Sequence, residues 1–207
     1  MRLPKFVAVA AVAVFAFSVA ACGSGDDAQT ASPPAPSAAM SSAPAMADGE
    51  FGAGCAAVPT DPNNAGSFEA MAQVPVATAA SGNPVLSTLV SAVKQAGLVD
   101  SLNGAADVTV FAPTNDAFAK IPKADLDALL ADKEKLTQIL TYHVVAGGQL
   151  APEKLSGMHA TLEGQQVDVK GSDTDFTVNG MSKVVCGNVK TANATVYIVD
   201  SVLMPPA

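Results

Sequence analysis

Thr109-Val110-Phe111-Ala112-Pro113-Thr114-Asn115-Asp116-Ala117-Phe118 is the stretch from which the architecture can be read. Val108 to Phe111 is rich in β-branched and aromatic residues, which suits a strand. Thr114 then stands where a helix N-cap is wanted, for the turn holding Asp116, Ala117 and Phe118. An acid such as Asp116 in the first turn is favoured by the helix dipole. A strand running into a capped helix marks the middle of the domain, and the residues on its two sides differ in period.

Upstream the pattern is helical. Ser67 caps a short helix through Met71, and Asn83-Pro84 opens a second with Pro at its first position. Val85, Leu86, Leu89, Val90 and Val93 fall on one face of it, and Gly97 is placed to end it. Just downstream, Asp132 starts another helix, in which Leu136, Ile139, Leu140 and His143 recur at i, i+3, i+4 and i+7. Beyond it the period becomes alternating. Short runs at 159–162, 165–169, 176–178, 182–186 and 195–203 are separated by Glu163-Gly164, Gly171-Ser172, Asn179-Gly180 and Thr191-Ala192-Asn193. The clearest hairpin turns at Asn179-Gly180, because both central positions of a type I′ turn need positive φ. Helices followed by strands predict an α+β domain over 55–207 with a mainly antiparallel sheet. At roughly 150 residues it can build its own core.

The N-terminal residues have the layout of a secretory signal. Arg2 and Lys5 precede an uncharged run from Phe6 to Val19. That run falls short of the roughly 20 apolar residues of a spanning helix, so export is expected. Val19-Ala20-Ala21-Cys22 resembles the bacterial lipobox. Residues 1–21 are therefore read as a lipoprotein signal peptide and Cys22 as a lipidated N-terminus, with ordinary signal cleavage beside a chance cysteine as the competing reading. Two or more acyl chains, at roughly 0.8 kcal/mol per buried methylene, hold a protein stably on a membrane. Residues 22–54 read as a tether: from Gly23 to Glu50 large apolar residues are almost absent, so burial cannot offset ordering entropy. As a flexible coil that stretch reaches roughly 30 Å, and its Ser and Thr residues are candidate glycosylation sites.

The chain carries a formal charge of −8. Without Arg2 and Lys5 it would carry 9 basic and 19 acidic residues, a charge of −10. Nucleic acid as a partner is excluded by that balance, since it requires a basic footprint; electrostatic docking on an anionic bilayer is excluded too. With Cys22 assigned to lipid, Cys55 and Cys186 remain as an even pair in an oxidising compartment. Bridging them would contribute up to about 5 kcal/mol through loop closure. Two buried thiols or an intermolecular bond are the alternatives.

Three blocks carry a resemblance to the fasciclin domain. Thr109–Phe118 is similar to the family's first homology block, Tyr142-His143 to its Tyr-His pair at a helix end, and Asn193-Ala194-Thr195-Val196-Tyr197-Ile198-Val199-Asp200-Ser201-Val202-Leu203-Met204-Pro205 to its second block. With the lipobox, tether and cysteine pair, the chain resembles the mycobacterial surface lipoprotein antigens of the MPT type. The resemblance implies a single fasciclin-like domain, an antiparallel β-sandwich or wedge with flanking helices, and adhesion or recognition rather than catalysis. The Asp-Ile motifs through which animal members bind integrins are not evident, so an integrin partner is not implied. Toll-like receptors would meet the acyl chains on Cys22 rather than the domain.

Possible partner contacts are Tyr142, His143, Asp116 and Asp200, each with a structural role as its alternative. Catalysis finds no support: His143 and His159 are the only histidines, and no nucleophile elbow, Cys-His pair or phosphate loop is present. No cofactor is implied. Asp173-x-Asp175 lacks the further acids of a calcium loop, so no metal is expected. Asn193-Ala194-Thr195 fits a glycosylation acceptor but is read as a turn. The expected function is a membrane-anchored surface lipoprotein that meets host-cell or matrix proteins or glycans. The alternative is an envelope lipoprotein binding a small or lipidic ligand, which needs an internal cavity of several hundred Å³.

Overall fold

The computed structural model describes residues 49–206. The signal peptide, Cys22 and the tether up to residue 48 lie outside the described residues.

Seven strands form one sheet: β1 (Val108–Pro113), β2 (Val144–Val145), β3 (Gly157–Ala160), β4 (Gln166–Ser172), β5 (Asp175–Val178), β6 (Ser182–Lys190) and β7 (Ala194–Val199), in the order β2-β1-β7-β6-β5-β4-β3. Every neighbouring pair is antiparallel except β1 and β7, which run parallel from Val108↔Ala194 to Pro113↔Val199. The two outer strands meet. Val145 bridges Thr161, the Ala146 N–H donates to Ala160 O at 3.0 Å, and the Leu162 N–H donates to Val144 O at 2.8 Å. The sheet thus curls nearly into a barrel, which removes most exposed edge groups.

The α+β class and the mainly antiparallel sheet agree with the sequence reading; one parallel pair makes the sheet mixed and lets it curl nearly into a barrel, which the sequence did not announce. The physical reason lies in β7, which returns beside β1 after a crossover of some 80 residues; alternation within a strand carries no sign of its neighbour's direction.

Period 2 along β1 and β7 divides the core into two. Val108, Val110 and Ala112, with Ala194, Val196 and Ile198, face the helices and pack with Leu86, Leu89, Val93, Leu136 and Leu140. Phe111, Tyr197 and Val199 point the other way, into the barrel, against Val167, Val169, Phe176 and Val178. All six residues of each strand are buried. Thr109 is tolerated inside because its Oγ1 donates to Gly148 O at 2.9 Å and accepts from the Leu150 N–H at 2.8 Å.

The helices are α1 (Phe68–Ala72), α2 (Val76–Gly82), α3 (Ser87–Ala96), α4 (Val99–Gly104), α5 (Asn115–Ala119), α6 (Lys123–Ala131), α7 (Lys133–Tyr142) and α8 (Pro152–Leu155). Several start on the expected caps. Ser67 Oγ accepts from the Ala70 N–H, Thr114 Oγ1 from Ala117 and Asp132 from Glu134 and Lys135, while Gly97 ends α3 in the left-handed conformation. The helix α2 has no cap of its own. Its first N–H groups are met from afar, Val76 by Asn193 Oδ1 at 2.9 Å and Ala77 by Asn103 Oδ1 at 3.0 Å.

The hairpin between β5 and β6 turns at Asn179 (φ 52°) and Gly180 (φ 69°), as its sequence requires. At the N-terminal side the expected boundary shifts. Residues 49–54, read as tether, belong to the folded domain. Phe51 pairs with Gly187 through two backbone hydrogen bonds and packs at 5.7 Å from the Phe176 ring and 6.3 Å from Tyr197. Phe51 in its slot, the Asn188 amide on Gly49 O and the bond at Cys55 together order a segment whose composition is otherwise that of a linker.

Candidate functional site

The end of α7 is where the Tyr-His pair falls, and both side chains turn inward. Tyr142 is 1% exposed and His143 2%. His143 Nδ1 donates to the Ile139 carbonyl at 2.7 Å, and Nε2 accepts the Leu203 N–H at 3.0 Å. These partners assign the neutral ring with its proton on Nδ1. Burial holds the imidazole pKa down at about 4, against the opposing pull of the Ile139 carbonyl. The Tyr142 hydroxyl donates to Gln166 O at 3.2 Å and accepts from Asn179 Nδ2 at 2.9 Å; Asn179 Oδ1 in turn accepts the Asp168 N–H. The pair therefore ties α7, the start of β4, the β5–β6 turn and the C-terminal segment together.

As partner contacts Tyr142 and His143 are corrected: neither reaches the surface and their polar atoms are taken. The i+7 position of His143 on the apolar stripe of α7 already pointed to the core.

The two acids differ. Asp116 is exposed in the first turn of α5, with its carboxylate outward. Asp200 follows β7 and is bound from several sides: Oδ1 accepts the Lys183 N–H at 2.9 Å and the Ser201 hydroxyl at 3.1 Å, and Oδ2 pairs with Lys120 at 3.1 Å. Burial pushes this carboxyl up, but the Lys183 N–H and the Lys120 and Ser201 donors outweigh it and leave the pKa below the usual range. At 54% and 36% side-chain exposure the Lys120–Asp200 pair contributes little stability.

Strand direction gathers other groups at the same end. β1 and β7 finish there, β6 begins there, and the 161–165 and 179–181 turns project there with the segment after Asp200. Leu162, Met181 and Met204 at this end are 48%, 74% and 44% exposed. None was singled out from sequence, because exposure of one apolar residue in a turn leaves no periodic trace. The chain enters at the opposite end: Gly49 O accepts from Asn188 Nδ2 near the finish of β6.

Two of the domain's concavities bear on ligand binding. A cavity of about 50 Å³ between helices and sheet is lined by residues including Leu86, Leu89, Val93, Val110, Val196 and Ile198. An open groove of about 870 Å³ runs between residues 49–54 and the β4–β5 turn, bordered by Glu153, Asp173, Asp175 and Lys183. Asp175 pairs with Lys183 at 3.3 Å, and no cluster of three or more metal-ligating side chains occurs among the described residues. Asn193 is engaged inside the fold: besides accepting from Val76, its Nδ2 donates to Leu102 O and Ala105 O at 2.9 and 2.7 Å. Cys55 and Cys186 are disulfide-bonded across 131 residues.

With the nearly closed mixed sheet, its helix layer and the Tyr-His pair in place, the fasciclin domain model matches residues 84–205. The chain belongs to the fasciclin domain family. It is 50% identical over 182 residues to the cell surface glycolipoprotein MPT83 of Mycobacterium tuberculosis, covering 85% of this chain and 81% of that one. To the immunogenic protein MPB70 of Mycobacterium bovis it is 49% identical over 172 residues, 80% and 88% of the two chains. Among solved structures, a FAS1 domain pair from the insect cell adhesion molecule fasciclin I superposes with a TM-score of 0.54 at 17% identity. That match covers 66% of this chain and 52% of the insect one, and shows the fold.

Proposed function

We propose that this protein is a lipid-anchored cell-surface lipoprotein whose fasciclin domain acts in adhesion or recognition, without catalysis. The observation that carries this reading is the similarity, at 50% identity over most of both chains, to a protein named a cell surface glycolipoprotein. The lipobox at Cys22 supplies the anchor. The geometry supports display: Gly49, the first described residue, lies at one end of the barrel, and Asp116, Leu162, Met181 and Met204 lie at the other. The partners proposed are host-cell or matrix proteins or glycans for the domain, and Toll-like receptors for the acyl chains. The competing reading, a small or lipidic ligand inside the domain, is disfavoured by a cavity of about 50 Å³, since ligand pockets run to roughly 300–1,000 Å³.

Mass spectrometry of the mature N-terminus tests the anchor; a diacylated Cys22 is expected, and an unmodified terminus defeats it. Cells displaying the protein should bind matrix or host cells better than a deletion strain, and the soluble Cys22→Ala form should compete for that binding. Absence of competition would assign adhesion to the lipid and reject the domain's role.

A further inference from the structure

Residues 49–55 lie along the outer side of β6 as a strap. Three independent contacts hold it there: the Phe51–Gly187 backbone pair, the Asn188 amide on Gly49 O, and the Cys55–Cys186 disulfide. The fit leaves no slack. A Cβ on Gly187 would run into the Phe51 ring, and one on Gly52 into the backbone of Val185. Phe51 is 7% exposed and shares the barrel interior with Phe176 and Tyr197. The strap is also the first part of the folded domain that a pull on the tether would reach.

We propose that the strap and its disulfide are a mechanical brace, passing a load on the tether into β6 and around the rest of the domain. The proposal rests on the N-terminal anchoring argued above. Its basis is the length of the covalent path. From Gly49 the chain takes six residues to Cys55, crosses the sulfurs, and takes five more from Cys186 back to Met181, which is 74% exposed on the far hairpin turn. Stretched out, that path spans about 40 Å, whereas the main-chain route from Gly49 to Met181 spans roughly 450 Å. Helices α1 to α8 and strands β1 to β5 all lie within the closed loop, off the short path.

The short path contains, besides the start of the short 3₁₀ helix Ala53–Ala57, the first half of β6. It is gripped on both sides, by β5 at Thr177↔Lys183 and Val178↔Ser182 and by β7 at Val184↔Val199 and Cys186↔Ile198. Both points of loading, Cys186 and residue 181, lie on this one stretch of chain, so tension runs along its own extended backbone while the ladders to β5 and β7 hold it in place. A partner bound at the hairpin end could then be held against tension while the helices and the remaining strands carry none.

The test is single-molecule pulling of the full-length mature chain, with one handle on the tether and the other on an azide-bearing residue at position 181. The oxidised molecule should extend, beyond its tether, by no more than about 40 Å. After a thiol reductant is added, the same molecule should extend by roughly 450 Å. A Gly187→Val chain, in which Phe51 is unseated but the disulfide kept, should still stop at the short limit. A long extension in the oxidised molecule overturns the brace. So does a reduced molecule that bears the same forces without lengthening. Failure of the anchor would appear as an unacylated terminus and would leave these extensions unchanged.

Discussion

His143 is held neutral by its surroundings, and that has a measurable consequence. Its folded pKa of about 4 lies below the 6.5 of an unburied imidazole. Between those values the unfolded chain binds the extra proton and the folded one does not, so stability is full above 6.5 and falls as pH drops toward 4. The whole difference corresponds to about 3 kcal/mol. Urea denaturation at pH 7 and pH 4.5 should therefore differ by about 2–3 kcal/mol, and His143→Gln should flatten much of that dependence. Asp200, whose pKa is depressed, loses its contribution only at still lower pH and does not mimic the effect. An unchanged slope in the variant would remove the assignment. The sequence already contained half of this: the i+7 position on an apolar stripe marks a core histidine, but the Leu203 N–H that donates to its ring is 60 residues away and no spacing announces it.

At the scale of elements, features set within one turn of the chain are legible in sequence. Ser67, Thr114, Asp132 and Gly97 act within one turn of their own helices, and the Asn179-Gly180 turn is set by two adjacent residues. The segments that escaped notice depend on distant ones. The helix α2 begins without a capping side chain and borrows Asn103 and Asn193; β2 has two residues; α6 buries none of its residues. Asn193→Ala should therefore act far from the turn it occupies. It frees the Val76 N–H at the start of α2 and carbonyls at the end of α4, and should cost about 2–4 kcal/mol. Hydrogen exchange should show both helices losing protection together. Protection lost only within the β6–β7 turn would mean that the long-range bonds are dispensable. The same engagement predicts that Asn193 carries no glycan on the folded protein, which peptide mapping can check.

For the molecule as a whole the question is how much the covalent closure adds to a fold that already has two apolar cores. Loop closure over 131 residues is an unfolded-state effect, about 5 kcal/mol at most, and residual structure in the unfolded chain makes the realised figure smaller. The described domain, at roughly 150 residues, is large enough to bury its own core, so removing the bridge should weaken the fold without abolishing it. Cys55→Ser with Cys186→Ser is thus expected to keep a native far-UV spectrum and to melt about 10 °C lower than the oxidised parent. Gly187→Ala, with the bridge intact, disturbs only the seat of Phe51. It should cost about 1–3 kcal/mol through overpacking and make the segment before Cys55 more open to protease. The two perturbations separate the roles of one strap. If the double serine chain were unfolded at neutral pH, the cores would be insufficient and the bridge a condition of folding; if Gly187→Ala left protease resistance untouched, Phe51 would be a passenger on a segment held by sulfur alone.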